Sequence, residues 1–130
     1  MTVDPNVLAQ SMPFAVGLGI EVTAASPAEV RGRLAWAPER CTTGGVLHGG
    51  ALMALGDTLG AIAAFLNLPA GAGTTTIESK TNFFRAVRSG TVEGTTRPLH
   101  VGRRVIVVQT DVRGEDGKLV AQVTQTQAVV

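Results

Sequence analysis

The chain has 130 residues, of which 45% are hydrophobic and only 16% are charged, so it is too apolar to be disordered and long enough for one domain. Eleven Lys and Arg against ten Asp and Glu give a net charge of +1 without basic runs, which argues against a nucleic-acid partner. The small number of charges also predicts that part of the surface is buried against another copy of the chain.

Neither export nor membrane insertion is predicted. Residues 1–10 lack the basic start and the apolar stretch of a secretory signal. The most apolar run, residues 51–66, is interrupted by Asp57 and is shorter than the ~20 residues that cross a bilayer. The single cysteine, Cys41, excludes an intrachain disulfide and a four-cysteine zinc site. Together these features predict a cytoplasmic protein in a reducing compartment.

The predicted elements follow a simple order along the chain. A short helix around residues 7–12 precedes two strands, residues 20–25 and 30–36, which a Ser-Pro turn separates. A loop over residues 38–45 leads to a helix from Gly49 to Leu66, in which leucine and isoleucine recur at alternating steps of three and four. Four strands rich in Thr and Val follow, over residues 74–84, 90–99, 103–113 and 118–129.

This order predicts an α+β fold in which a curved antiparallel sheet wraps around one long central helix. No βαβ alternation calls for a parallel sheet, and the short connections favour a four-strand antiparallel meander after the helix. The side of the helix away from the leucines carries Gly, Ala and Met, so the helix is expected to be buried all round, by the sheet and by a partner. No repeat or long linker divides the chain, and residues 1–130 are interpreted as a single domain.

Asp57 lies in the middle of this apolar helix and is the only charged residue between Arg40 and Glu78. Burying an unpaired carboxylate is costly, so an aspartate there needs either a function or hydrogen-bond partners. We interpret Asp57 as a nucleophile or general base at the floor of a cleft, and the alternative is a structural aspartate bonded to backbone or to Ser or Thr. Its neighbours on the same helical face are small and leave space beside it: Gly50, Ala54 and Ala61.

A second candidate site is His48-Gly49-Gly50, where the helix begins and free backbone N–H groups point outward at the positive end of its dipole. The Gly49 N–H can polarise a carbonyl oxygen there, an interaction worth about 3 kcal/mol in acyl transfer. The alternative is that two glycines merely permit a tight turn. His48 is expected to shape the helix entry or to contact a substrate carbonyl, because a dyad with Cys41 or a metal site lacks supporting residues.

The spacing of these two candidates predicts a homodimer. Gly49 and Asp57 are eight residues apart, which is about 12 Å along a helix at 1.5 Å per residue. A nucleophile and an oxyanion donor must both lie ~3 Å from one carbonyl, so a single helix cannot supply both. Antiparallel helices related by a two-fold axis would place Gly49 of one chain opposite Asp57 of the other, with two shared sites per dimer.

These motifs resemble the hotdog-fold acyl-CoA thioesterases of the phenylacetate-degradation type. The resemblance rests on Gly-Gly-Val-Leu-His-Gly-Gly at 44–50, on Asp57, and on residues 82–86 and 102–104, and it covers nearly the whole chain. It implies a hotdog fold, a dimer or dimer-of-dimers homotetramer, and hydrolysis of a coenzyme A thioester without metal or bound cofactor. It also implies that Asp57 attacks the thioester or activates water while the Gly49 N–H polarises the carbonyl.

The resemblance extends to residues around the substrate. Thr75 matches a Ser or Thr that orients water or the carboxylate in related enzymes, or it is an ordinary strand threonine. Thr42 stands where many relatives have Asn or Gln, so its hydroxyl reaches less far; Gly50 is expected to line the site with it. Because coenzyme A carries phosphates, arginines at strand ends are expected to contact them, the alternative being solvated turn charges: Arg85, Arg88, Arg103 and Arg104.

Two other functions are compatible with parts of the sequence. A non-catalytic acyl- or aryl-CoA binding protein of the same fold would tolerate Thr42, although the retained Asp57 argues against it. Hydration or dehydration of an acyl thioester would need a His paired with a carboxylate at the reacting carbons, and the sequence has no such neighbouring pair. The acyl group, aryl or medium-chain, depends on how Phe65, Leu66, Phe83 and the partner's residues 12–14 pack.

Overall fold

A computed structural model describes residues 4–130. Residues 1–3, the first part of the segment 1–10 for which no export signal is predicted, lie outside the described residues. The helices are α1 Pro5–Gln10, α2 Pro13–Leu18 and α3 Gly49–Leu66, with a 3-10 turn at Pro38–Arg40. The strands are β1 Glu21–Ala25, β2 Val30–Ala35, β3 Thr74–Phe83, β4 Thr91–Val101, β5 Val105–Arg113 and β6 Leu119–Val129.

The first helix differs from its prediction. The sequence predicts one helix at residues 7–12, and the structure has two short ones on either side of Ser11 and Met12. Met12 is extended, with φ −119° and ψ 93°, because the ring of Pro13 disfavours the helical region for the residue before it. Pro13 then begins α2 at a position where its missing N–H costs nothing.

The six strands form one antiparallel sheet in the order β1-β2-β4-β5-β6-β3, and α3 packs across one face of it. The predicted α+β fold is therefore confirmed, but the predicted meander of the last four strands is wrong. β3 pairs with β6 instead of β4 and forms an edge of the sheet. The segment after β3 leads away from β3 to the end of β2. There the Trp36 N–H, directly after β2, donates to the Gly90 carbonyl at 2.7 Å, so β4 starts beside β2.

The inner side of α3 forms the core with the sheet. Leu52, Leu55 and Leu59 are at most 3% exposed, and each such burial stabilises the fold by about 2 kcal/mol. Two glycines bring the helix close to β6. A Cβ at Gly56 would lie 2.6 Å from Val123 Cγ2, and one at Gly60 would lie 1.8 Å from Gln125 Oε1. The contact therefore requires glycine at both positions.

The outer side of α3 is open in the single chain. Met53 is 40% exposed and Phe65 is 56% exposed, and Asp57 between them is also exposed. Within one chain α3 is thus buried on one side only, because the sheet covers only that side, and the expected cover of its outer side by a partner stays a prediction. By length and composition α3 resembles a membrane span, with a mean hydropathy of 1.5 over 18 residues, but 56% of it is buried, as in the core helix of a soluble protein.

The other face of the sheet is charged. Glu21, Arg33, Glu93 and Arg113 are consecutive cross-strand partners on β1, β2, β4 and β5, so the charges alternate across four strands. Such exposed pairs contribute about 0–1 kcal/mol each, but they keep this face in water. Beside them, the hydrogen bond from Arg31 lowers the pKa of the Glu29 carboxyl, against an opposing effect of desolvation.

Gly56→Ala is expected to lower the free energy of unfolding by about 1–3 kcal/mol, because its methyl group would overlap the stiff, buried Val123 side chain. This loss opposes the ~1 kcal/mol by which alanine favours a helix over glycine. The control is Gly17→Ala in α2, where an added Cβ meets nothing within 4 Å. Urea denaturation checks both variants, and equal destabilisation by the two would contradict the packing argument.

Candidate active site

The loop before α3 is held in one conformation by backbone contacts and a tryptophan. Gly44 and Gly45 have φ of +86° and +74°, a left-handed turn that favours glycine. The Trp36 Nε1–H donates to the Gly45 carbonyl at 3.0 Å, and the Thr42 N–H donates to the Val46 carbonyl at 2.8 Å. The residues that precede the helix therefore have a defined path.

Arg40 links this loop to α2. Its guanidinium donates to the carbonyl of Leu18, the last residue of α2, and to the carbonyl of Ala35 at 3.0 Å. Its own carbonyl accepts the His48 N–H at 2.9 Å. One residue thus connects the end of α2 with the start of α3.

His48 caps α3 with its side chain. Its Nδ1 accepts the Gly50 N–H at 2.7 Å, and its carbonyl accepts the Ala51 N–H at 2.9 Å. An acceptor Nδ1 requires the neutral tautomer with the proton on Nε2, and His48 is exposed. Within residues 4–130 the Gly49 N–H has no acceptor, so it is the unpaired donor of the first turn.

Gly49 opens on a cavity of about 400 Å³. Thr42 and Arg85 line the same cavity, so three of the predicted site residues come together there. Phe83 forms one wall, since a Cβ on Gly49 would lie 3.2 Å from its ring. The remaining lining residues are Val46, Leu47, Leu52, Phe84 and Ala86.

Among residues 4–130 the Asp57 carboxylate has one hydrogen-bond donor, the side-chain amide of Gln125, which binds Oδ1 from β6. Gln125 is 1% exposed, whereas Asp57 itself is exposed. Gln125 is not among the site residues predicted from the sequence. The available signal was the alternation of β6, where Gln125 and Gln127 continue the inward-facing row that Val123 begins.

Two cavities, of about 460 and 330 Å³, meet at Asp57 and share Phe14 and Thr58. The larger runs toward the start of α3 and is lined also by Gly50, Met53, Ala54, Thr76 and Ser79. The smaller lies under the start of α2 and is lined also by Ser11, Met12, Pro13, Ala15 and Ala61. Residues 12–14 of the same chain therefore contribute to the cavity walls, a role that the sequence analysis assigned to the partner's copy.

Thr75 is not beside Asp57 within one chain. The neighbouring Thr76 takes that place: its Oγ1 accepts from Gln127 at 2.8 Å, and it lines the Asp57 cavity. Because side chains alternate along a strand, Thr75 points to the opposite face of the sheet.

Cys41 and His48 form no dyad. The Cys41 thiol donates to the Ala37 carbonyl at 3.2 Å, and the Nδ1 of His48 is occupied by its cap. Across residues 4–130, no three His, Cys, Asp or Glu side chains come together as metal ligands.

The four arginines do not form one cluster in the chain. Arg85 and Arg88 follow β3 near the start of α3, where the Leu47 N–H donates to the Val87 carbonyl. Arg103 and Arg104 occupy the β4–β5 turn, and the Arg104 carbonyl accepts from Val129, beside the beginning of β3. The two pairs lie at opposite ends of the sheet, because β3 and β6 run the length between them.

The chain is similar to known proteins over most of its length. The family model described as the thioesterase superfamily matches residues 44–121. A thioesterase from Haemophilus influenzae of known structure has a TM-score of 0.93 and 31% identity, covering 100% of this chain and 92% of its own. A mutant phenylacetic acid degradation protein from Thermus thermophilus has a TM-score of 0.83 and 29% identity, covering 90% and 98%. The 1,4-dihydroxy-2-naphthoyl-CoA hydrolase of Escherichia coli is 34% identical, covering 66% of this chain and 63% of its own.

His48→Ala is expected to lower the free energy of unfolding by about 1 kcal/mol, because the Gly50 N–H loses its acceptor. His48→Asn keeps a side-chain acceptor of similar reach and is expected to retain most of the stability. Chemical denaturation of the two variants checks the cap. Equal loss in both would mean that the imidazole stabilises the helix entry by packing alone.

Proposed function

The chain belongs to the thioesterase superfamily, and we propose that it hydrolyses a coenzyme A thioester to a free acid and coenzyme A. Family membership confirms the resemblance and the hotdog fold predicted from the sequence, and it makes the protein a thioester hydrolase. The observation that carries the proposal is a carboxylate where two cavities meet, on the same helix as an unpaired N–H. The name of the Escherichia coli relative, a CoA hydrolase, supports coenzyme A as the leaving group.

In the proposed reaction, the Gly49 N–H of one chain and the partner's Asp57 act on one carbonyl. Gly49 donates to the thioester oxygen and stabilises the negative charge that develops there. Thr42, in the same cavity, is a further donor beside it, and the Nε2–H of His48 is proposed as another. In one route Asp57 takes a proton from an attacking water, the carbon–sulfur bond breaks, and the coenzyme A thiolate leaves with that proton. In the other route Asp57 itself adds to the carbonyl carbon, coenzyme A leaves as the carbon–sulfur bond breaks, and water then hydrolyses the mixed anhydride to the free acid, one of its protons going to the thiolate.

A second copy of the chain is part of this proposal. One chain leaves Asp57 open to water and leaves the edge of β3 unpaired, with Ile77 on that edge 63% exposed. Large exposed apolar side chains beside an unpaired strand edge favour association. An antiparallel pairing of two copies would cover both features and bring each Gly49 toward the partner's Asp57. We propose this dimer, assembled further into a homotetramer, as the active form.

The proposed acyl group occupies the cavities at Asp57. Their walls are mostly apolar and small, which suits an aryl or medium-chain acyl group. The coenzyme A phosphates would meet Arg85 and Arg88 at one end of the sheet and the partner's Arg103 and Arg104, which an antiparallel dimer brings to that end.

We further propose that the reaction uses protein groups alone, with neither metal nor bound cofactor. The proposal extends to a single domain over residues 1–130 and to a cytoplasmic location. Substrate is the only proposed small-molecule partner, and neither nucleic acid nor a membrane takes part.

Asp57→Asn is expected to lower the rate of thiol release by about a hundredfold or more, because the amide keeps the shape but neither accepts a proton nor adds to the carbonyl. The measurement is thiol release from a panel of aromatic and aliphatic CoA thioesters, with folded wild type and variant at equal concentration. The panel also identifies the acyl class. Turnover of none of the bound thioesters by wild type would favour the CoA-binding alternative, and an unimpaired variant would remove Asp57 from the chemistry.

Mixed dimers test whether the site is shared. Gly49→Pro removes the N–H, and the backbone suits proline because His48 has φ −60° and ψ 133°, the conformation favoured before proline. The added Cβ would lie 3.2 Å from the Phe83 ring, which has to move by a few tenths of an ångström. Each homodimer of Gly49→Pro or Asp57→Asn is expected to be nearly inactive. A heterodimer of the two, isolated by two different affinity tags, contains one intact site and is expected to recover about half of the wild-type rate. Inactive heterodimers, with both variants folded and dimeric, would place both groups in one chain.

A further inference from the structure

We propose that Gln125 is a positioning residue that fixes the catalytic carboxylate of Asp57. The inference rests on the proposed function, since it assigns a role toward a carboxylate that acts on substrate. Gln125 is 1% exposed and lies on β6 directly under α3. Its Nε2 donates to Asp57 Oδ1 and lies 3.5 Å from Thr76 Oγ1.

The side chain of Gln125 is only half satisfied. Its Oε1 is buried and has no hydrogen-bond partner among the described residues. Buried polar atoms in folded proteins are nearly always paired, so an unpaired amide oxygen requires an explanation. The bond to the Asp57 carboxylate supplies that explanation. If the Gln125 amide were rotated by 180°, Asp57 would lose its donor and the Oε1 of Gln125 would face the negative charge. The orientation of Gln125 is therefore set by Asp57.

Gln127, two residues further along the same strand, provides the contrast. It is equally buried at 1%, but its Nε2 donates to Thr76 at 2.8 Å and its Oε1 accepts from Thr74 at 3.1 Å. Both ends of its amide are satisfied within the sheet. Gln127 thus has the contacts of a structural glutamine, whereas Gln125 directs its donor to the one carboxylate on the helix.

Gly60 makes room for this arrangement. A Cβ at position 60 would lie 1.8 Å from Gln125 Oε1, so any other residue would displace the amide. Asp57 lies one turn before Gly60 on the same helix. The glycine and the glutamine therefore act together, and the bond at Oδ1 leaves the other carboxylate oxygen free to face the cavities.

The consequence is a fixed carboxylate at the position where it must meet the substrate carbonyl. Misplacing a reacting group by about 1 Å costs as much as a hundredfold in rate. Loss of Gln125 is therefore expected to lower kcat, with a smaller effect on KM.

The experiment compares Gln125→Met, which keeps the length and removes the donor, with Gln127→Met as a control of equal burial. The probe is the CoA thioester that wild type hydrolyses fastest. Gln125→Met is expected to lower kcat about 10- to 100-fold with KM within about twofold. Gln127→Met is expected to lower stability and to leave kcat close to that of wild type.

Two further variants keep the test decisive if Gln125→Met is unstable. Gln125→Glu retains the shape but presents a carboxyl group to Asp57 in place of the amide donor, and is expected to lower kcat as well. Gly60→Ala keeps Gln125 but displaces its amide, and is expected to reproduce the loss of kcat. An unchanged kcat in folded Gln125 variants would overturn the proposal.

Asp57→Asn separates this inference from the function on which it rests. If Asp57→Asn is inactive while Gln125→Met matches wild type, only the positioning role fails. If Asp57→Asn retains the wild-type rate, the proposed function fails, and the positioning role fails with it.

Discussion

The close contact between α3 and β6 determines both how the helix packs on the sheet and which side chain of the sheet reaches Asp57. Gly56 and Gly60 let the helix axis approach the strand until Val123 and Gln125 touch helix backbone. At that distance the side chain of Gln125 reaches Asp57 from the sheet side of the helix, although the Asp57 carboxylate itself faces outward. With larger residues at these positions, the helix would stand further from the strand and the amide would not reach. Packing and chemistry therefore depend on the same two glycines.

The helix has two unlike sides, and each has a separate role. Leucines on the inner side join the sheet in a core that is complete within one chain. The outer side keeps Met53, Asp57 and Phe65 in contact with water, which is unfavourable for the apolar pair unless another surface covers them. In the proposed dimer that surface is the same side of a second helix. Folding of one chain then leaves a reactive face that only association turns into a site.

The features that sequence reasoning predicted correctly are those with a local cause. The period of the leucines predicts α3, and the cost of burying a lone carboxylate singles out Asp57. The errors arise from long-range pairing. Whether Thr75 or Thr76 faces the helix depends on the register of β3 against β6, and a shift of one residue reverses the answer. The pairing of β3 with β6 at the sheet edge and the contact of Gln125 with Asp57 likewise join residues about 40 to 70 positions apart. No local pattern encodes those contacts.

The contacts of Arg40 link the position of α2 to the position of the loop before α3. Its guanidinium donates to the carbonyl of Leu18 at the end of α2, and its own carbonyl accepts the His48 N–H at the start of α3. The helix α2 also carries Phe14, which lies where the two cavities meet. In the proposed site, a substitution that shifts α2 to admit a bulkier acyl group would also pull on the loop that positions the Gly49 N–H. Broadening the substrate range by repositioning α2 would then lower the rate of the proposed reaction. Variants that enlarge the cavity from within, at side chains such as Met12, would leave the Arg40 connection intact.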